Sequence, residues 1–80
     1  KKAVSWHRKA AEKGMSESQF ILGICYEKGQ GVSEDYKEAV NWYHKAADQG
    51  NAPAQLYIGK CYYEGRGVVQ DYKEAASWFR

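Results

Sequence analysis

The 80-residue chain contains one proline, one methionine and two cysteines, and no apolar run near the 18 or more residues that a membrane helix needs. No charged, apolar and small-residue succession resembles a signal peptide. Charge of one sign is equally scarce: twelve Lys and Arg against ten Asp and Glu leave +2, too little to make nucleic acid or an anionic membrane the default partner. The excess sits at one end, where Lys1, Lys2, Arg8, Lys9 and Lys13 against Glu12 give +4 and leave −2 on the remainder. The eight glycines fall into groups rather than being scattered as in a disordered linker. What is present, 44% hydrophobic and 15% aromatic residues, suffices for one small core, which excludes a multidomain enzyme.

A 36-residue repeat organises the chain. Sliding the sequence by 36 positions pairs Lys1–His44 with Lys37–Arg80, and 21 of the 44 pairs are identical. Ala3, Ala39 and Ala75 fall in register, as do Trp6, Trp42 and Trp78. Gly23 to Val32 returns at Gly59 to Val68 with its glycines, cysteine and tyrosine in place, and Asp35-Tyr36-Lys37-Glu38-Ala39 returns unchanged from Asp71. Each unit reads as two helices. Helix A spans about 17–28 and about 53–64, with Leu22, Cys25, Tyr26 and Ile58, Cys61, Tyr62 at i, i+3, i+4 spacing. Helix B spans about 36–49, with Ala39, Trp42, Tyr43, Ala46 and Ala47 as its apolar stripe, and residues 3–13 and 72–80 are further copies of it. The order is B-A-B-A-B, without a strand candidate of any strength.

The helix ends carry chemical signals. Ser16 with Gln19 has capping-box spacing, Met15 and Phe20 are placed for a hydrophobic staple, and Pro53 is expected at the first position of the second A helix. Asp35 with Glu38 and Asp71 with Glu74 are expected to cap the later B helices, and Gly14 and Gly50 to close helices in a left-handed conformation. The loops Gly29-Gln30-Gly31-Val32 and Gly65-Arg66-Gly67-Val68 follow helices, so their glycines suit tight helix-to-helix turns. A phosphate loop would need a preceding strand and a third glycine or a Lys-Ser/Thr pair.

Leu22-Gly23-x-x-Tyr26-x-x-Gly29-x-Gly31-Val32-x-x-Asp35, followed by Ala39, Trp42-Tyr43-x-Lys45-Ala46-Ala47-x-x-Gly50, resembles the Sel-1-like repeat, a relative of the tetratricopeptide repeat. Ile58-Gly59-x-x-Tyr62-x-x-Gly65-x-Gly67-Val68-x-x-Asp71 through Trp78-Phe79 matches again, with Ile58 in the usual leucine place. The resemblance covers essentially all 80 residues. It implies an all-α, right-handed α/α solenoid of antiparallel helix pairs, acting as a non-catalytic adaptor or scaffold for protein complexes. Residues 1–14 form a partial repeat, 15–50 a full one and 51–80 one truncated within helix B. Physical reasoning agrees: neither helix pair buries its apolar face alone, so units stack on their neighbours. Gly23, Gly59, Ala10 and Ala46 are expected where helices cross closely, and Trp6, Trp42 and Trp78 as filling between units.

By the same resemblance the A helices line a concave, partner-binding face. With Ser18, Leu22, Cys25 and Tyr26 in the core, Glu17, Phe20, Ile24 and Glu27 fall on the other side of the first A helix, and Pro53, Leu56, Lys60 and Tyr63 on that of the second. Phe20, Ile24, Leu56 and Tyr63 are the candidate hot spot for a protein or peptide, with Lys60, Glu27 and Glu64 as polar selectors. The same residues also suit inter-repeat core. Cys25 and Cys61 lie one repeat apart, on the order of 10 Å and beyond the roughly 7 Å reach of a disulfide, so free thiols are expected. The cysteine-rich branch of the family carries two cysteines per repeat. This chain carries one, and neither Ser-x-x-Lys nor Lys-Thr-Gly, which argues against the β-lactam chemistry attached to that branch. His7 and His44 do not repeat in register, and no metal site or cofactor is expected. The alternatives are a purely structural segment that packs on neighbouring repeats or self-associates through its uncapped ends and, further off, a β-lactam hydrolase or a carbohydrate-binding module built on the seven tyrosines and three tryptophans. The compartment is left open.

Overall fold

The computed structural model describes residues 2–79, with side chains from Ser5 onward. Lys1 and Arg80, which bound the expected array, lie outside the described residues. Five helices follow one another: α1 (Lys2–Glu12), α2 (Ser16–Lys28), α3 (Tyr36–Asp48), α4 (Ala52–Glu64) and α5 (Tyr72–Phe79), with no strand among the described residues. This is the expected B-A-B-A-B order. Each helix packs chiefly on the helices next to it in sequence, and the chain spreads as a slab of 37 × 24 × 14 Å. It is an all-α helical-repeat solenoid.

The Asp caps form as expected: Asp35 accepts from the Glu38 amide at 3.2 Å and Asp71 from the Glu74 amide at 3.1 Å. Gly14, Gly29, Gly31, Gly50, Gly65 and Gly67 all adopt positive φ. The tight crossings are also present. A methyl group on Gly23 would stand 2.6 Å from the Tyr43 ring, and one on Gly59 would stand 2.5 Å from the Phe79 ring. Around these crossings Tyr43, Leu22, Ile58 and Ala46 are fully buried, and each large apolar side chain so enclosed contributes about 2 kcal/mol through removal from water.

Four local expectations need correction. Ser16 does not cap α2: the N-cap is Met15, which gives no side-chain bond, and Ser16 is the first helical residue. The Gln19 side chain instead donates to the Ala11 carbonyl at 3.1 Å, beside the Gly14 amide that donates to it at 2.9 Å, and accepts from Gln49 at 2.9 Å. Gln55 repeats this link to the Ala47 carbonyl at 3.2 Å. The staple is absent as well, because Met15 is exposed and Phe20 turns towards Tyr43 and Tyr57. In α4 the helix opens at Ala52, one residue before Pro53, and Asn51 caps it by accepting from the Ala54 amide at 2.9 Å. Finally, Trp42 is 6% exposed but Trp6 is 72% exposed. Trp42 packs against Leu22 and Cys25, and the 36-residue register places the equivalent partners of Trp6 ahead of residue 1.

Candidate partner-binding surface

The candidate residues divide by helix. On α2, Phe20 and Ile24 are half-buried and pack against the main core, while Glu27 is half-buried in a polar network. On α4, Leu56 and Tyr63 are 53% and 56% exposed, and Lys60 and Glu64 are exposed beside them. The structure thus places Phe20 and Ile24 between the repeats, and leaves Leu56, Lys60 and Tyr63 open on one face of α4 at i, i+4, i+7 spacing.

The junction of the two repeats is an aromatic cluster. Phe20 meets Tyr57 edge-on at 5.0 Å, Tyr57 meets Tyr43 at 5.4 Å, and Phe20 meets Tyr43 at 5.9 Å. Such edge and tilted contacts suit the ring quadrupoles and add about 1 kcal/mol each beyond the area they bury. Below the rings lies the polar network. The Tyr43 hydroxyl donates to Glu27 Oε1 at 2.6 Å, Arg66 approaches Glu27 Oε2 at 3.9 Å, and its Nε lies 3.3 Å from Glu64 Oε1. The Arg66 guanidinium also lies 5.5 Å from the centre of the Tyr36 ring, and Lys60 Nζ 5.8 Å from that of Tyr57. A cleft of about 30 Å³, the size of a water or two, opens between Glu27, Tyr57, Lys60, Cys61, Glu64 and Arg66. A cleft of this size is too small for an organic ligand.

The titrating groups are set for structure. Burial, and then the bond to Glu27, push the Tyr43 hydroxyl far above the usual tyrosine range. Burial, with Glu27 nearby, pushes the Cys61 thiol up to about 11, and Tyr62 is raised by burial together with Glu74 and Asp71. A thiol so raised stays protonated and weakly nucleophilic near neutrality. Cys25 and Cys61 are both free and buried. Among the described residues no group of three His, Cys, Asp or Glu side chains could hold a metal ion, and no helix is long and apolar enough to cross a membrane.

Two residues central to this junction escaped sequence reasoning. Tyr57 occupies the register place of Ile21, and an aromatic replacing an aliphatic beside the candidate stripe was the signal for it. Arg66 was read as part of a turn. Its counterpart is Gln30, and a guanidinium gained between two glycines was the clue.

Stacked helix pairs, small residues at the crossings and register-repeated caps define a helical-repeat scaffold. The chain belongs to the Sel1 repeat family, whose model matches residues 1–15, 16–51 and 52–80. Sel1 repeats are generally non-catalytic scaffolds that mediate protein–protein interactions. The chain is similar to the protective antigen c5321 of uropathogenic Escherichia coli, with a TM-score of 0.94 and 43% identity over 95% of this chain and 16% of that one. It is similar to a Sel1 repeat protein of Oxalobacter formigenes, with a TM-score of 0.93 and 47% identity over 95% of this chain and 58% of that one. Cysteine rich protein B of Helicobacter pylori shares the fold at a TM-score of 0.92 and 32% identity over 95% and 57% of the two chains. A 37-residue stretch, 46% of this chain, is 54% identical to part of the DAP3-binding cell death enhancer 1 of Rattus norvegicus. The match spans 7% of that curated relative.

Proposed function

We propose that the chain is a non-catalytic scaffold that displays its A-helix surface, the concave side of the solenoid, to a partner protein or peptide. The observation carrying this reading is the exposure of Leu56 and Tyr63 on one face of α4, with Lys60 between them, while the matching α2 face is occupied by core packing. Large apolar side chains grouped on one face beside charged neighbours have the composition of an interface hot spot and its rim. Phe20, Ile24 and Glu27 form the inner wall of this surface; Leu56, Lys60, Tyr63 and Glu64 form its open part. The test is affinity capture from a lysate with the wild type beside Leu56→Ala and Tyr63→Ala, both of which leave the aromatic junction intact. A protein retained by the wild type and lost by both variants, at unchanged helicity, supports the surface. Equal retention removes Leu56 and Tyr63 from it.

A further inference from the structure

The loop that leaves α4 is fixed along its length. Gly65 and Gly67 both take positive φ, the Arg66 amide donates to the Cys61 carbonyl at 2.9 Å, and the Asp71 amide donates to the Tyr62 carbonyl at 2.9 Å. Gly67 lies flush on the start of α3, where an added methyl group would stand 2.5 Å from the Tyr36 carbonyl oxygen. The backbone of Arg66 is therefore held on both sides, and its side chain loses less freedom in reaching a partner than one on a mobile loop would.

From that position the guanidinium meets a residue of each of three helices. Its Nε lies 3.3 Å from Glu64 Oε1 at the end of α4, and its Nη1 lies 3.9 Å from Glu27 Oε2 near the end of α2. Its central carbon lies 5.5 Å from the centre of the Tyr36 ring at the start of α3. The two carboxylates thus reach Arg66 from different repeats. Glu27 is the more enclosed, with a side chain 24% exposed against 44% for Glu64, and its other oxygen accepts from the Tyr43 hydroxyl. Lys60, the other cation lining this cleft, stands over the Tyr57 ring. Without Arg66, two negative charges would share the α2–α4 junction, one of them half-buried and so less screened by salt.

The turn itself does not require an arginine. Gln30 occupies the same register place between Gly29 and Gly31, which have positive φ as Gly65 and Gly67 do. Asp35 and Tyr36 likewise recur as Asp71 and Tyr72, whereas Glu27, Glu64 and Arg66 correspond to Tyr63, Lys28 and Gln30. The loop is common to both units, and the charges that meet across this junction are not.

We infer that Arg66 is a positioning residue that couples the two repeats by bridging Glu27 and Glu64, at a strength set by ionic strength. The ends of α2 and α4 are thereby held together whatever their exposed sides bind.

Urea unfolding of the wild type, Arg66→Gln and Arg66→Lys from about 10 mM to about 1 M sodium chloride tests this, the screening length falling from about 30 Å to about 3 Å over that range. Arg66→Gln places the Gln30 side chain on an unchanged loop, so helicity is expected to persist. At low salt its folding equilibrium should be weaker than that of the wild type by about fivefold, and at high salt by about twofold. Arg66→Lys keeps the charge but not the planar fork, and should fall between the two. In a Glu27→Gln background, which keeps an oxygen for the Tyr43 hydroxyl, Arg66→Gln should cost only about twofold at low salt. A loss that is the same at both salt concentrations, or the same with and without the Glu27 carboxylate, overturns the inference, as does an Arg66→Gln variant that matches the wild type at low salt. If Arg66→Gln loses helicity, Glu27→Gln alone carries the test: a low-salt loss that shrinks at high salt supports the bridge, and one indifferent to salt overturns it.

Discussion

Gly67 and Gly14 share a left-handed backbone but not the same surroundings. At Gly14, with φ at 94°, an added methyl meets nothing within 4 Å, so Gly14→Ala costs only the backbone conformation, about 1 kcal/mol. At Gly67, with φ at 72°, the methyl would lie 2.5 Å from the Tyr36 carbonyl oxygen and 3.0 Å from the Lys37 nitrogen, and backbone at the start of α3 cannot give way. We expect Gly67→Ala to cost about 3 kcal/mol or more, read as a lower urea midpoint with an unchanged slope. Cys61 gives a pH dependence of definite sign. Its thiol ordinarily titrates at 9.0 and is held up to about 11 in the fold, so the unfolded chain releases the proton first. Its contribution is complete below pH 9 and is lost as the pH rises to about 11. Tyr43 and Tyr62 are shifted in the same direction, so Cys61→Ala should flatten, not abolish, the fall in urea midpoint across that window. At this scale the sequence was only partly legible. Small residues at crossings and positive-φ glycines could be read from spacing, because each depends on local backbone. The exposure of Trp6 could not, because an identical tryptophan in identical register is buried or bare according to which helices flank it.

At the scale of the helix, Met15 and Asn51 form a natural comparison. They occupy the same register place before the two A helices with nearly the same backbone, φ −76° and ψ 110° against φ −70° and ψ 108°. Asn51 caps its helix and Met15 does not. Replacing Met15 with Asn should therefore supply α2 with the bond that α4 already has, raising stability by about 1 kcal/mol, and Asn51→Ala should lower it by a similar amount. Thermal unfolding of the two variants checks both, and Ser16→Ala, which removes no cap, should stay close to wild type. Helix positions and all five identities were legible because apolar spacing repeats with the unit and punctuation falls between units. The start of α2 was misread for a physical reason. A Ser-x-x-Gln spacing signals a capping box only when the glutamine is free to turn back on its own helix, and Gln19 is drawn to the Ala11 carbonyl by the neighbouring one. The matching bond from Gln55 to Ala47 shows that this link belongs to the repeat.

For the whole molecule, stability is shared between neighbours, so position along the array matters as much as composition. Tyr43 is where the two repeats couple: it is fully buried, its ring lies against Gly23 of α2, Phe20 and Tyr57 close over it, and its hydroxyl reaches Glu27. The solenoid was legible from the 36-residue period because stacking is the way such helix pairs bury their apolar faces. Which candidate-site residues would be open was not, because Phe20 and Leu56 are alike in sequence place and differ only in tertiary cover: the Tyr57 ring lies against Phe20, and Leu56 is exposed. Hydrogen exchange should display the same gradient. Amides in α2, α3 and α4, held on both sides, should exchange last; α5, with Ala75 as its buried residue, should exchange first, and α1, anchored at Ala11 and Gln19, between them. Tyr43→Ala should remove about 3–5 kcal/mol by leaving a cavity at the coupling point, and with it the extra protection of the middle helices. Tyr43→Phe keeps the ring and loses only the bond to Glu27, so protection should fall by about 2 kcal/mol while the order of exchange survives. Uniform exchange along the wild-type chain, or a Tyr43→Ala variant that keeps its protected centre, would show that the repeats are not coupled through this side chain.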